Sequence, residues 1–299
     1  MDAVSQLQIG SALLLDVGFI WLLGTWFARR WLCSSGFGRD AFEAALRRVD
    51  LAAAGLSAAG STVALYAATA VMAGIGLREA RSMFWMMLST TDYGHAGCIA
   101  IAAMIVLFAI RLRGGTGRMS DIASGLTMAV FAVTRASMGH AGEGGFWSVA
   151  LAVESVHFVG IGIWTGAVFV SAYFILSPAR VASFAAGLTD RYLERMSRAA
   201  LWAVVAIVGT GTYNAWHRVD SVDGLTHSNY GATLLVKIAL VVGAIGLGAY
   251  NKFFGLPAAA RSARGVAIVR GVLQAESVLL LGALAAAAIL GTQQAPGAM

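Results

Sequence analysis

The chain alternates long apolar stretches with short polar segments along its whole length. Stretches without a charged residue cover 51–77, 155–179 and 277–299, and each exceeds the roughly 20 residues that cross a bilayer as a helix. The pattern predicts one all-α integral membrane domain over 1–299, a bundle of eight transmembrane helices. Their predicted ranges are about 7–28, 50–76, 94–111, 120–137, 147–176, 197–217, 230–254 and 268–291.

Composition supports a membrane protein. The chain is 59% hydrophobic and 12% charged, whereas about 25% of the residues in a soluble domain are charged. The formal net charge of +6 then belongs to the loops that face a lipid surface. It does not indicate a nucleic-acid-binding surface.

The basic residues predict the orientation. Sixteen of the 21 Lys and Arg residues fall in or beside the segments 29–49, 111–119, 177–198 and 252–270, which alternate with the other connections. Basic loops stay on the cytoplasmic side of a membrane. We therefore expect a multi-pass membrane protein with the basic loops in the cytoplasm and both termini facing outward.

Candidate metal ligands gather in the predicted outer half of the bundle. Near its outer surface the sequence places His95, Cys98, Met138, His140, His217 and His227. His157 is deeper: about ten residues into its helix, at about 1.5 Å per residue, it lies about 15 Å down. Glu154 precedes it by three residues and so shares its helix face. A polar side chain at that depth usually faces a bundle interior or a pathway.

These residue types favour copper over other metals. Imidazole suits Cu(II), and thioether or thiolate suits Cu(I). The chain has no CxxC pair and no HExxH segment, the spacings typical of zinc sites. Cys98 is either a soft ligand or a small residue buried by helix packing. Asp16, near mid-depth in the first helix, could orient an imidazole or bind a cation directly.

Two further charges lie within predicted helices. Lys237 is about seven residues inside the seventh helix, and Glu276 is about eight from the inner end of the eighth. They could form a structural salt bridge. Alternatively, Lys237 could pair with Asp16 or Glu154, because the predicted depths of Lys237 and Glu276 differ by roughly 10 Å.

The C-terminal half resembles the CopD family of copper-resistance membrane proteins, which includes the PcoD proteins. The likeness is strongest over 195–257, in the YG…LLVK element with Tyr230 and Lys237 and in the N-K…LP element with Asn251. Upstream, MGHA and VESVHFVGIGIWTGAVF resemble the family's GHA and H…W-x-G segments, at His140, His157 and Trp164.

The resemblance implies a protein of the bacterial inner membrane, with both termini then in the periplasm. Such a protein takes copper ions from the periplasm toward the cytoplasm, beside a separate periplasmic copper carrier of the CopC type. Two other classes stay open: a membrane electron carrier with haem between histidines, and a receptor that binds copper for a soluble carrier without transport. An enzyme is not expected, because no nucleophile–base pair or nucleotide-binding loop is visible.

Overall fold

The computed structural model describes a helical protein over residues 3–33, 40–115, 117–142, 144–145, 147–182, 187–218 and 222–293. The α-helices within these residues are α1 (Ala3–Cys33), α2 (Asp40–Ala73), α3 (Leu77–Thr90), α4 (Asp92–Leu112), α5 (Arg118–Ser137), α6 (Val149–Val170), α7 (Pro178–Val181), α8 (Leu188–Arg218), α9 (Val222–His227), α10 (Asn229–Tyr250), α11 (Leu256–Ala259) and α12 (Ala263–Leu290). Helices α6 and α10 continue into π-helical turns at Ser171–Ile175 and Asn251–Gly255.

Neighbouring long helices run in opposite directions. The Ser57 hydroxyl donates to the Leu15 carbonyl, and the Thr25 hydroxyl donates to Asp50, so residue numbers rise along α1 as they fall along α2. The same reversal relates α6 to α8 and α10 to α12. This alternation follows the order of helices expected from the hydrophobic pattern.

Among the described residues, six helical segments are long and apolar enough to cross a membrane, which makes the chain a multi-pass membrane protein. They are Ala3–Leu32, Glu43–Ala73, Asp92–Leu112, Val149–Ile175, Asn229–Ala259 and Ala263–Leu290. The other two predicted spans, 120–137 and 197–217, are helical and belong to α5 and α8, which are more polar. Their crossing of the membrane, the total of eight spans and the periplasmic termini stay predictions.

Two hydrophobic clusters form the core. One joins α1, α2, α4 and α5 and includes Phe19 stacked on Phe131 with ring centroids 5.0 Å apart. The other joins the last part of α1, at Ala28 and Leu32, to α6, α8, α10 and α12. Helices α1 and α6 cross where Gly24 meets Gly166, and a Cβ on either residue would collide with the other's backbone. Glycine at both positions therefore permits this close crossing.

A buried ionic cluster joins α1, α2 and α4 near the end of the bundle where α1 finishes. We call Arg29, Glu43, Asp50 and Arg111 the arginine cluster. Asp50 is 0% exposed and lies 2.6 Å from Nη1 of Arg29 and 3.4 Å from Nε of Arg111. Arg29 also pairs with Glu43 at 2.9 Å. The sequence analysis assigned both arginines to basic connections, but they lie inside α1 and α4 and are paired there.

Candidate metal site

A cavity of about 640 Å³ occupies the end of the bundle where α1 begins and α5 and α12 finish. Along α1 its wall runs from Gln8 to Asp16. At about 1.5 Å per residue, the cavity therefore extends about 12 Å along the bundle. The wall also includes residues of α2, α4, α6 and α10. We call this end of the bundle the cavity end.

The polar wall of the cavity contains several of the predicted site residues. Asp16, Met138, Glu154, His157 and Lys237 all line it. Arg135 and Asp92 line it as well, so three carboxylates face two cationic side chains. A cleft with this balance concentrates cations.

Asp16 is held by an arginine. Nε and Nη2 of Arg135, near the end of α5, donate to the two carboxylate oxygens at 3.1 and 3.3 Å. From the sequence, Asp16 was expected to orient an imidazole or to bind a cation directly. The Arg135 guanidinium takes that place, because a carboxylate in a helix bundle needs a nearby positive charge.

Glu154 and His157 both face α8. Nδ1 of His157 lies 2.8 Å from Oγ1 of Thr210, and Nδ2 of Asn214 donates to Oε2 of Glu154 at 2.7 Å. Thr210 and Asn214 are four residues apart, so they lie one above the other on α8. His157 is buried, with 8% of its surface exposed. The shared face predicted for Glu154 and His157 exists, and α8 supplies a polar partner for each.

Met138 lies at the rim of the cavity, where α5 ends. The backbone of His140 follows in a single 3₁₀ turn over His140–Gly142. The side chain of His140 and the whole of Glu143 lie outside the described residues. The structure therefore places one of the two predicted rim ligands in the wall of the cavity.

The other predicted ligands are dispersed over the surface. The His95 ring lies 3.1 Å from the Ser89 carbonyl oxygen, the His217 ring stacks on Tyr213, and the His227 ring contacts the Thr226 hydroxyl. These three histidines are exposed and do not line the cavity. Cys98 is a free, exposed thiol, so the interpretation of a cysteine buried by packing is wrong.

Ligands are spread along the cavity rather than gathered into a cage. Within the part of the chain that the structure describes, no three or more His, Cys, Asp or Glu side chains form a group that could hold a metal ion. Two of the predicted ligands, Glu154 and His157, share a helix face. Asp16 and Met138 line other parts of the cavity wall.

Glu276 has a different partner from the one expected. The indole Nε1 of Trp164 donates to its Oε1 at 2.8 Å. Glu276 lies against Gly248 of α10, eleven residues beyond Lys237 and so about 16 Å farther along the helix. Lys237 instead lines the cavity with Asp16 and Glu154. Asn251 is buried in the π-helical turn after α10.

The sequence analysis missed Arg135, Thr210 and Asn214 as parts of the site. A signal existed for the last two: they are polar residues four apart, and so on one face, near the end of the apolar part of α8. No comparable signal marked Arg135, because arginines near helix ends are common on either side of a membrane. Only the fold brings it beside Asp16.

Comparisons with known proteins identify the family of this chain. A family model described as copper resistance protein D-like, N-terminal domain matches residues 1–149, and one described as copper resistance protein D matches residues 190–290. The chain is 29% identical over 216 residues to copper resistance protein D of Pseudomonas syringae pv. tomato, covering 67% of this chain and 69% of that protein. No solved structure matches. The chain belongs to the copper resistance protein D family.

Proposed function

We propose that this protein transports copper ions across the bacterial inner membrane, from the periplasm to the cytoplasm, and that the cavity receives them. The observation that supports this proposal is the polar cavity that descends from one end of the bundle to Asp16, Glu154 and His157. Family membership supports copper as the ion. The basic connections lie at the opposite end of the bundle, which is therefore expected in the cytoplasm, so the cavity would open toward the periplasm.

The donors suit copper at successive depths. The Met138 thioether at the rim is a soft ligand, and the His157 imidazole deeper in the cavity binds either oxidation state. Thr210 fixes the orientation of the imidazole through Nδ1, as hydrogen bonds to the second ring nitrogen do in metal sites. An ion that moves from one depth to the next would exchange only a few ligands. This favours transport of the ion over its storage.

The carboxylates compensate the charge of the ion. A cation inside a bundle costs several kcal/mol unless opposite charges or polar groups surround it. Glu154 lies one helical turn from His157, and Asp16 lines the same cavity. When copper binds, Glu154 supplies negative charge near the imidazole, while Asp16 keeps Arg135 from repelling the ion.

A soluble periplasmic copper carrier of the CopC type is the partner that fits this arrangement. It would deliver the ion at the cavity end, next to Met138 and the 3₁₀ turn that contains His140. Direct handover protects a soft ion from competing ligands in the periplasm. The CopC-type carrier is a separate protein in this proposal.

Copper accumulation in cells that express the chain tests the proposal. His157→Ala should reduce cytoplasmic copper to the level of cells without the protein, at equal amounts of protein in the membrane. His217→Ala is the control, because its exposed ring contacts only its own helix in the described bonds. Unchanged accumulation in the His157→Ala variant would remove the deep site from the proposal.

Metal analysis and an absorption spectrum of the purified protein separate the other classes. A strong Soret band would favour a haem protein. Copper bound at the cavity end without uptake into proteoliposomes would favour a receptor. In that case the outer residues would matter for binding, and His157→Ala would have no effect on delivery.

A further inference from the structure

A carboxyl group that the proposed copper site does not use is buried farther along the bundle. Glu276 of α12 is 2% exposed. Its Oε1 accepts the 2.8 Å hydrogen bond from Trp164, and its Oε2 has no hydrogen-bond partner among the described residues. A methyl group added at Gly248 would lie 3.5 Å from Oε1. The carboxyl is therefore enclosed between α6 and the backbone of α10.

Charged and titratable side chains are present on the elements packed against α12, and none donates to Oε2. They are Asp16, Arg29 and Arg30 on α1, Glu154, His157 and Tyr173 on α6 and its π-helical turn, Tyr230, Lys237, Tyr250 and Lys252 on α10 and its π-helical turn, and Arg264 and Arg270 on α12. Helix α11 carries none.

Two of these groups, Arg270 and Tyr173, have other partners. Nε of Arg270 donates to the Ala172 carbonyl at 2.9 Å, and the Tyr173 hydroxyl lies 2.9 Å from the Ser277 hydroxyl. Lys252 is exposed. An ionised Glu276 would thus have one oxygen without a donor and no cation in hydrogen-bond contact. Burial of such a charge costs several kcal/mol, whereas the neutral acid avoids that cost.

The position of Glu276 relates it to the copper site. Trp164, its partner, follows His157 by seven residues on α6, which is two helical turns and about 10 Å. The step from His157 to Trp164 leads away from the cavity end. Glu276 is therefore the next buried carboxyl that an ion leaving His157 in the inward direction would approach.

We propose that Glu276, held by Trp164, is a proton-binding site that exchanges one proton for the passage of a copper ion. This inference rests on the proposed function. As the ion approaches, the O–H bond at Oε2 breaks, the electron pair stays on the oxygen, and the proton passes to water. The carboxylate then compensates the charge of the ion. After the ion leaves, the carboxylate takes up one proton again.

Infrared spectroscopy of the full chain in detergent tests the protonation directly. At neutral pH without copper, the wild-type protein shows the carbonyl band of a buried carboxylic acid. Glu276→Gln removes this band. Glu194→Gln leaves it, because Glu194 is exposed and pairs with Arg198 on the surface. A Glu276→Gln spectrum with the same band as the wild type would overturn the assignment.

The Trp164→Phe variant supplies a second signature. It removes the donor to Oε1 while it leaves the carboxyl in place, so the band should shift in frequency and persist. Adding copper(I) in ascorbate to the wild-type protein should weaken the band and release protons to a pH-sensitive dye. If copper binds and the band keeps its intensity, the coupling is wrong even though the proton site exists.

Proteoliposomes separate this inference from the proposed function. Wild-type vesicles should accumulate copper with matched proton movement and a pH-dependent rate, and Glu276→Gln should abolish the proton movement and the pH dependence. Copper uptake without proton movement in the wild type would overturn the inference and leave transport intact. Absence of copper uptake in the wild type, with the band still assigned to Glu276, would instead overturn the proposed function.

Discussion

The cavity end and the arginine cluster use the same residue types in opposite ways. In both, a carboxylate pairs with arginine close to α1. Asp16 and Arg135 have side chains that are 16% and 28% exposed in the wall of a cavity. Asp50 is 0% exposed; Trp21, Thr25 and Arg29 donate to it, and Arg111 forms an ion pair with it at 3.4 Å. One pair is accessible, and the other is enclosed.

This difference leads us to expect that access, rather than residue type, separates an exchangeable site from a structural one. Four side chains from two other helices converge on the Asp50 carboxylate: Trp21, Thr25 and Arg29 of α1 and Arg111 of α4. An ion could displace them only at a high cost in free energy. At the cavity end each polar group has few partners and lies beside open space. The expected effects of mutations follow this contrast.

The largest effect is expected for Asp50→Ala. Removing this carboxylate leaves Arg29 and Arg111 buried without their shared counter-ion, which should lower the free energy of unfolding by about 3–5 kcal/mol. Thermal unfolding in detergent measures the change. Asp121→Ala is the matched control, because Asp121 pairs with Arg30 at an exposed position and should cost at most about 1 kcal/mol. Equal losses in the two variants would contradict the contrast.

A smaller effect, confined to copper binding, is expected for Thr210→Val. The variant keeps the shape of the side chain but loses the hydroxyl that holds Nδ1 of His157. Copper affinity should fall by about 10–100-fold, measured by competition with a chelator. Thr212→Val, on the same helix, removes a hydroxyl that contacts the Val208 carbonyl and should leave affinity unchanged. A loss of affinity in both variants would refute a specific role for Thr210.

Compared with Asp50→Ala, Asp16→Asn should change the free energy of unfolding less and copper accumulation more. The pair with Arg135 is partly exposed, so its loss should cost about 1 kcal/mol in the free energy of unfolding. Copper accumulation should fall several-fold, because the positive charge of Arg135 then repels the ion. Arg135→Lys tests the same point with the charge kept. If Asp16→Asn accumulates as much copper as the wild type, the Asp16–Arg135 pair is a structural contact, like the pairs of the arginine cluster.

The smallest effects are expected for the dispersed histidines. Substituting His95, His217 or His227 by alanine should change the free energy of unfolding by no more than about 0.5 kcal/mol, since each side chain is exposed. Single variants should also keep their copper accumulation. A sharp loss in one of them would move the site from the cavity to the surface.

The sequence predicted the helices well because hydrophobic periodicity is a local property. Each of the eight predicted spans overlaps one long helix, although α2 ends at Ala73 and α6 and α10 end in π-helical turns. The shared face of Glu154 and His157 follows from helical spacing alone. The side-chain partners on other helices could not be predicted from the sequence. The contacts of Arg135 with Asp16 and of Trp164 with Glu276 join residues more than 100 positions apart. Helix order leaves such pairings undetermined, since each helix can rotate about its axis.

The arginine cluster illustrates the limit of a charge rule. Counting Arg29 and Arg111 as basic residues of one side agreed with the alternation of the helices. The number of basic residues in a connection does not reveal that both side chains point into the bundle toward Asp50. A buried guanidinium near a helix end is invisible until its carboxylate partner is placed.

The glycine crossing of α1 and α6 has a consequence for the size of the cavity. Gly24 lies eight residues beyond Asp16, about 12 Å below the deepest part of the α1 wall. The point at which two helices cross in contact determines how far apart their ends are. The contact of Gly24 with Gly166, where neither residue has a side chain, therefore governs the width of the cavity opening at the cavity end.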